Sequence, residues 1–120
     1  MYRRIGDGDD EVLGYRLSGR LTEGEVKEIQ REMEAAIEEH GKIRVLCEMG
    51  DFSGADPSAI WQDLKFTPTY VEDLERFALV GDKRWHKVVT ELADKLSFAN
   101  AEFFEVSQLD EAWDWIRDDD

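Results

Sequence analysis

Three cations, Lys83, Arg84 and Lys87, fall within five residues of a chain whose formal net charge is −14. Lys83 and Lys87 are four apart and Arg84 and Lys87 three apart, so on a helix all three share one side of its opening turns. The stretch around them, Leu79-Val80-Gly81-Asp82-Lys83-Arg84-Trp85-His86-Lys87, reads as a strand end, a turn capped by Asp82, and a helix start. Cations at a helix N-terminus oppose the macrodipole by roughly 0.3–1 kcal/mol each when exposed, and a bound anion reverses that sign. Free backbone N–H groups with Lys83 and Arg84 would suit a phosphate or carboxylate head. The competing reading is that these cations pair with some of the 29 acidic residues. Trp85 begins an apolar stripe, so a core role stands beside a ligand-binding one.

A second group of candidates is Trp61, Lys65, Phe66 and Tyr70. Asp56-Pro57 supplies an acid at N-cap and a proline at the first helical position, so a helix is expected near Pro57. Ile60, Leu64 and Val71 can share a core-facing stripe, but Trp61 lies to its side and Phe66 nearly opposite. Pro68 breaks or kinks the helix near Thr67. Surplus apolar side chains on an interrupted helix suggest a movable cover over an apolar pocket, or a surface that meets a membrane or another subunit. Local packing of Phe66 and Tyr70 against the last helix is the alternative.

Signs of enzyme chemistry are missing. No Ser/His/Asp, Cys/His or metal-ligand spacing appears, and no pair among the many acids has a distinguishing placement. His40 reads as a packing or C-terminal capping residue, and His86 as a surface or capping residue. The single cysteine, Cys47, excludes an internal disulfide and a cysteine-based metal site, and its apolar strand setting makes it a small hydrophobe. No catalytic residue, metal or cofactor is therefore expected.

The elements that must position these residues follow from turn signals and periodicity. Tyr2 to Ile5 and Val12 to Ser18 read as a hairpin joined by Gly6-Asp7-Gly8-Asp9-Asp10. Thr22-Glu23-Gly24-Glu25 has the form of a capping box. Behind it Val26, Ile29, Met33, Ala36, Ile37 and His40 recur at helical spacing, and Gly41 is placed to end the helix. Ile43 to Met49 is a strand, followed by a loop and the helix near Pro57. Phe77 to Val80 is a strand, Trp85, Val88, Val89, Leu92, Ala93 and Leu96 a helical stripe, and Ala101 to Val106 a last strand. Ser107-Gln108-Leu109-Asp110 is expected to cap a final helix that turns Leu109, Ala112, Trp113 and Ile116 inward. Asp118 to Asp120 should fray. This alternation predicts one α/β domain over residues 1–120: a mixed, mostly parallel five-stranded sheet, flanked by about four helices, with the first strand antiparallel. In such sheets ligands bind at the carboxyl ends of the strands, where both candidate groups lie.

Composition narrows the partners. With 29 acids against 15 bases, phosphate backbones are repelled over most of the surface, so nucleic acid is not an expected partner. Only six of the 15 bases are lysine, a bias found where proteins stay hydrated in strong salt, and a halophilic source is one expectation. Met1-Tyr2-Arg3-Arg4 lacks the apolar run of a signal peptide, and no stretch approaches the ~20 apolar residues of a membrane span. A cytoplasmic protein is expected.

The segments Asp51 to Phe66 (DFSGADPSAIWQDLKF) and Phe77 to Asp94 (FALVGDKRWHKVVTELAD), with GRLTEGEV and KIRVLCEM before them, resemble the SpoIIAA-like family, a branch of the STAS-domain superfamily. The likeness covers nearly the whole chain, and VGDKRW is its most specific part. It implies a small mixed sheet with helices on its faces and no established catalysis. It also implies a carrier or sensor of a hydrophobic or anionic ligand, similar to SEC14-type lipid-binding domains, with membrane association through a movable helix. STAS regulators of sigma-factor pathways are phosphorylated on a serine in a D-S-[ST]-G-like motif. The matching region here is Asp56-Pro57-Ser58-Ala59, so Ser58 is a loose match: proline replaces the first serine and the glycine is missing.

Two functions are thus expected. The first is a non-enzymatic ligand-binding or regulatory module for a small amphiphilic or lipid-like anion, held by Lys83, Arg84, Lys87, Trp61, Lys65, Phe66, Tyr70 and Trp85, with peripheral association to membranes. The second is a phosphorylation-controlled interaction domain switched at Ser58. A homodimer built on Trp61, Phe66 and Trp115 is a further expectation, because Trp115 lies off its helix's inward stripe.

Overall fold

Five strands form one sheet, and the two-residue alternation along each gives the sheet two unequal faces. The computed structural model describes residues 2–6, 12–18, 22–50, 74–96 and 101–118. In chain order the elements are β1 (Tyr2–Ile5), β2 (Val12–Leu17), α1 (Glu23–His40), β3 (Ile43–Met49), β4 (Leu74–Gly81), α2 (Trp85–Leu96), β5 (Ala101–Glu105), a short 3-10 turn (Val106–Gln108) and α3 (Leu109–Arg117). The strand order across the sheet is β1-β2-β3-β4-β5. β1 runs antiparallel to β2, and the other pairs are parallel. The expected mixed α/β architecture is therefore present. Among the described residues there are three α-helices rather than about four, because the helix expected near Pro57 lies outside them.

The first face carries the larger core. Tyr15, Cys47 and Leu79 stand in register across β2, β3 and β4, and α1 covers them with Ile29 and Met33 while α2 brings Trp85, Val88 and Val89. The expected capping box starts α1: Thr22 accepts from the Glu25 N–H at 3.1 Å, and Glu25 accepts from the Thr22 N–H at 3.2 Å. Glu25 also accepts from the Tyr2 N–H at 3.0 Å, which ties the helix start to β1. Gly41 ends α1 with φ +85° and donates to the Ile37 carbonyl at 2.7 Å, a conformation L side chains avoid. Two tyrosines carry polar tips under α1. The Tyr15 hydroxyl donates to Glu32 at 2.8 Å and the Tyr2 hydroxyl to Glu28 at 2.7 Å, while the Arg4 guanidinium lies 5.3 Å from the Tyr15 ring centroid.

On the second face Leu46, Ala78 and Val80 pack under Ala112 and Ile116 of α3. The α3 carbonyls at its C-terminal end lack intrahelical donors, and two strand arginines supply them. Arg44 donates to the Ile116 carbonyl at 2.9 Å and the Asp118 carbonyl at 2.6 Å, and Arg76 donates to the Trp115 carbonyl at 2.6 Å. At the other end of the same layer the Trp113 ring lies against Gly6 and Gly14, where a Cβ would come within 2.8 and 2.5 Å of it.

Two boundaries differ from expectation. β4 begins at Leu74 rather than Phe77. Glu75 and Arg76 extend the strand because both have partners, Glu75 on Arg44 at 2.8 Å and Arg76 on α3. β5 ends at Glu105, and Val106 enters the 3-10 turn. The expected Ser107–Asp110 cap is displaced: Gln108 accepts from the Glu105 N–H at 3.0 Å, and α3 starts at Leu109 without a side-chain cap.

Candidate functional site

The carboxyl ends of β2, β3 and β4 open into a cleft of about 330 Å³, lined by Arg16, Glu48, Met49, Gly50, Asp82, Arg84 and Val106. Parallel strands all deliver their following loops to this one edge, which is why residues distant in sequence meet here. Arg16 and Glu48 are register partners on β2 and β3, and the same row continues through Val80 and Phe104. They form an ion pair beneath the cleft, with Glu48 only 8% exposed. The lengths of the elements allow charge at this end of the face. Nine residues of α3 span about 14 Å, whereas seven of β3 span about 23 Å, so the helix cannot run the full strand.

Asp82 and Arg84 form the opposite wall. The Asp82 carboxylate accepts from the Arg84 backbone N–H at 2.9 Å and from its guanidinium at 3.2 and 3.0 Å. Those hydrogen bonds from the Arg84 side chain, with its backbone N–H and its charge, hold the Asp82 carboxyl below the usual carboxylate range. Asp82 thus closes the turn ahead of α2 rather than capping the helix itself, and Arg84 takes the competing reading of the cation cluster by pairing with an acid. α2 itself starts at Trp85, so Lys83 and Arg84 stand in the turn before it. Lys83 and Lys87 are exposed and form no ion pair among the described residues. The cleft lining is charge-balanced, Arg16 and Arg84 against Glu48 and Asp82, and so less acidic than the chain as a whole.

Trp85 is 2% exposed and belongs to the core. Its ring folds back on the end of β4, where a Cβ on Gly81 would lie 2.8 Å from the Trp85 ring, so glycine makes that approach possible. His86 faces the Phe103 ring at 5.2 Å and accepts, through its carbonyl, from Thr90 at 3.0 Å. Trp115 is half-buried, with its ring 5.9 Å from that of Phe104 and the Arg76 guanidinium 5.4 Å from its centroid, so it packs on the sheet although it lies off the inward stripe. Trp61, Lys65, Phe66, Tyr70 and Ser58 lie outside the described residues.

Arg16, Glu48 and Val106 are the site residues that sequence reasoning missed. A signal existed for two of them. Arg16 is in phase with Val12 and Gly14, and Glu48 with the buried Leu46, so each is a charge where alternation calls for an inward side chain.

The chain is thus a largely parallel sheet with helices on both faces and a polar cleft over its carboxyl ends. Among the described residues no cluster of His, Cys, Asp and Glu could hold a metal, and no helix is long and apolar enough to cross a membrane. A family model described as SpoIIAA-like matches residues 12–117. The chain belongs to the SpoIIAA-like family, whose STAS-like domains are regulatory or interaction modules. Comparison with curated proteins and with solved structures returns no match.

Proposed function

We propose that this chain is a non-enzymatic ligand-binding and regulatory module for a small amphiphile with an acidic head, and that the ligand sits in the cleft at the carboxyl edge of the sheet. The observation that carries the reading is the cleft's mixed lining. The Arg16–Glu48 and Arg84–Asp82 pairs are joined by Met49 and by Val106, which at 59% exposure is the one large hydrophobic left exposed among the described residues. Val106 gives an alkyl chain a first apolar contact beside Met49.

Magnitudes favour entry at Arg84. Its pair with Asp82 is open to solvent on both sides, with side-chain exposures of 58% and 51%. Such a pair contributes about 0–1 kcal/mol, so little stability is lost when the guanidinium is shared. An acidic head can therefore share Arg84 with Asp82, with Lys83 and Lys87 adding attraction at the rim. Trp61, Lys65, Phe66 and Tyr70 lie in the chain between Gly50 and Asp82 of the cleft, and we assign them the cover over the alkyl part and the contact with a membrane surface.

Native mass spectrometry of the purified protein and titration with octanoate and octyl phosphate test the reading. The expected result is saturable binding that falls at least tenfold in Lys83→Ala/Arg84→Ala. Absence of binding to either amphiphile, or binding that the double variant leaves intact, refutes it.

A further inference from the structure

A sheet ends in two strands whose outer backbone groups have no ladder partner, and such edges pair with other chains unless they are guarded. The two edges of this sheet, β1 and β5, differ in that respect. β1 is four residues long and carries exposed Arg3 and Arg4. Its Tyr2 N–H is already taken by Glu25 of α1 at 3.0 Å, so the helix start stops a further strand there.

β5 is open. The Glu105 N–H turns away from β4 to the Gln108 side chain at 3.0 Å. Backbone direction alternates along a strand, so Glu102 and Phe104 bond β4, while Ala101 and Phe103 aim their N–H and C=O groups outward. Among the described residues those outward groups have no hydrogen-bond partner. The side chains beside this edge form a pattern. Glu102 and Phe104 share the second face with their register neighbours Ala78 and Val80, and Phe103 and Glu105 share the first with Leu79 and Gly81. Glu102 is exposed, the other three are half-buried, and neither glutamate forms an ion pair among the described residues. An added strand therefore meets, in order, a carboxylate, two rings and a carboxylate.

We propose that β5 is a docking edge for an extended cationic segment of a partner protein, whose side chains run cation, apolar, apolar, cation against Glu102 to Glu105. Backbone bonds to Ala101 and Phe103 hold the segment. Directly opposed pairs, lysine or arginine on glutamate and aliphatic on phenylalanine, set its register. The pattern reads the same in both directions, so it holds for parallel and for antiparallel entry. A second copy of this chain is a poor occupant, because it brings a charge of −14 against −14 and its own β5 offers no cation.

The test is titration of the full chain with the peptides acetyl-SKVVKS-amide and acetyl-SVKKVS-amide, followed by calorimetry and by hydrogen exchange of assigned amides. The two peptides have the same composition and charge, so general attraction to an acidic protein cancels from their ratio. Adjacent lysines cannot meet both glutamates, and one exposed ion pair is worth up to about fivefold. SKVVKS is expected to bind at least fivefold more tightly and to slow exchange at Ala101 and Phe103. Glu102→Lys, at an exposed position, should remove that preference. Reversing one peptide charge should restore tight binding to this variant, with SKVVES if the segment enters antiparallel to β5 and with SEVVKS if parallel. Restoration by either supports the proposal and assigns the direction. Equal binding of the two lysine peptides, absence of binding, or restoration by neither overturns it. So does a concentration-dependent dimer that by itself protects the Ala101 and Phe103 amides, which would assign the edge to a second copy.

Discussion

Replacing Gly14 by alanine tests the packing of the second face against the first hairpin. Gly14 lies on β2 opposite Ile5 of β1, and a Cβ there would stand 2.5 Å from the Trp113 ring and 2.6 Å from the Ile5 carbonyl oxygen. Its backbone is not in the left-handed region, where only Gly6 and Gly41 among the described residues fall, so the cost is contact alone. Overpacking typically costs about 1–3 kcal/mol. The upper part of that range applies, because one neighbour is backbone that cannot rotate away and the other is an indole held under the Arg117 guanidinium at 4.5 Å. Gly24→Ala is the matched control. It lies in α1, with the nearest atom to a new Cβ at 3.9 Å, and helix propensity favours alanine there by roughly 0.5–1 kcal/mol. Both changes restrict the unfolded chain equally, so the difference between them, about 3 kcal/mol, isolates the native contacts. At about 2.1 cal/mol/K per residue, 1 kcal/mol shifts Tm by about 4 °C in a domain of this size. Gly14→Ala should melt about 8–12 °C lower and Gly24→Ala about 2–4 °C higher, followed by far-UV circular dichroism and checked by urea unfolding. A Gly14→Ala protein within about 0.5 kcal/mol of the parent would refute the close approach of Trp113.

Arg44→Ala removes the donors to the Ile116 and Asp118 carbonyls and the partner of Glu75, and should lower stability by about 1–3 kcal/mol in urea unfolding; an unchanged midpoint would show that water replaces the cap. The tyrosines set an alkaline limit. The hydrogen bond to Glu28, with burial and the neighbouring carboxylates, pushes the Tyr2 hydroxyl up to about 12, and burial followed by the Glu32 hydrogen bond raises Tyr15 further. Both native values lie above the unfolded one, so this stabilisation is complete below about pH 10 and lost as pH rises through 10 to 12. Absorbance titration at about 295 nm should find at least two of the three tyrosines un-ionised at pH 10.5 while the chain is folded; normal titration of all three would contradict the network under α1.

Legibility tracked locality. The Thr22/Glu25 box, the stripe of α1 and the succession of strands and helices could be read because each is set by neighbouring residues or by simple alternation. Trp85 resolved toward the core for the same reason, as the first member of a buried stripe. The start of β4 was hidden because Glu75 and Arg76 look like loop residues until partners 31 and 39 residues away are placed beside them. The site divided similarly. Lys83, Arg84 and Asp82 are visible as a cluster, whereas Arg16 with Glu48 exists only through the register of β2 on β3. Nor does spacing reveal that Asp82 turns back to hold Arg84, since that depends on the conformation of one turn.

The placement of α3 has a consequence for the order in which this chain becomes a protein. Each strand pairs with the one synthesised just before it, so the sheet and its α1 and α2 layer can assemble progressively as the chain emerges. Leu46, Ala78 and Val80 have no such early cover in α3, which follows all five strands in the chain, and Arg44 and Arg76 wait with them for the carbonyls they bind. A nascent chain stopped before residue 109 therefore carries a finished layer on one side and an apolar strip lacking its helix on the other. The nine residues of α3 are what close that strip.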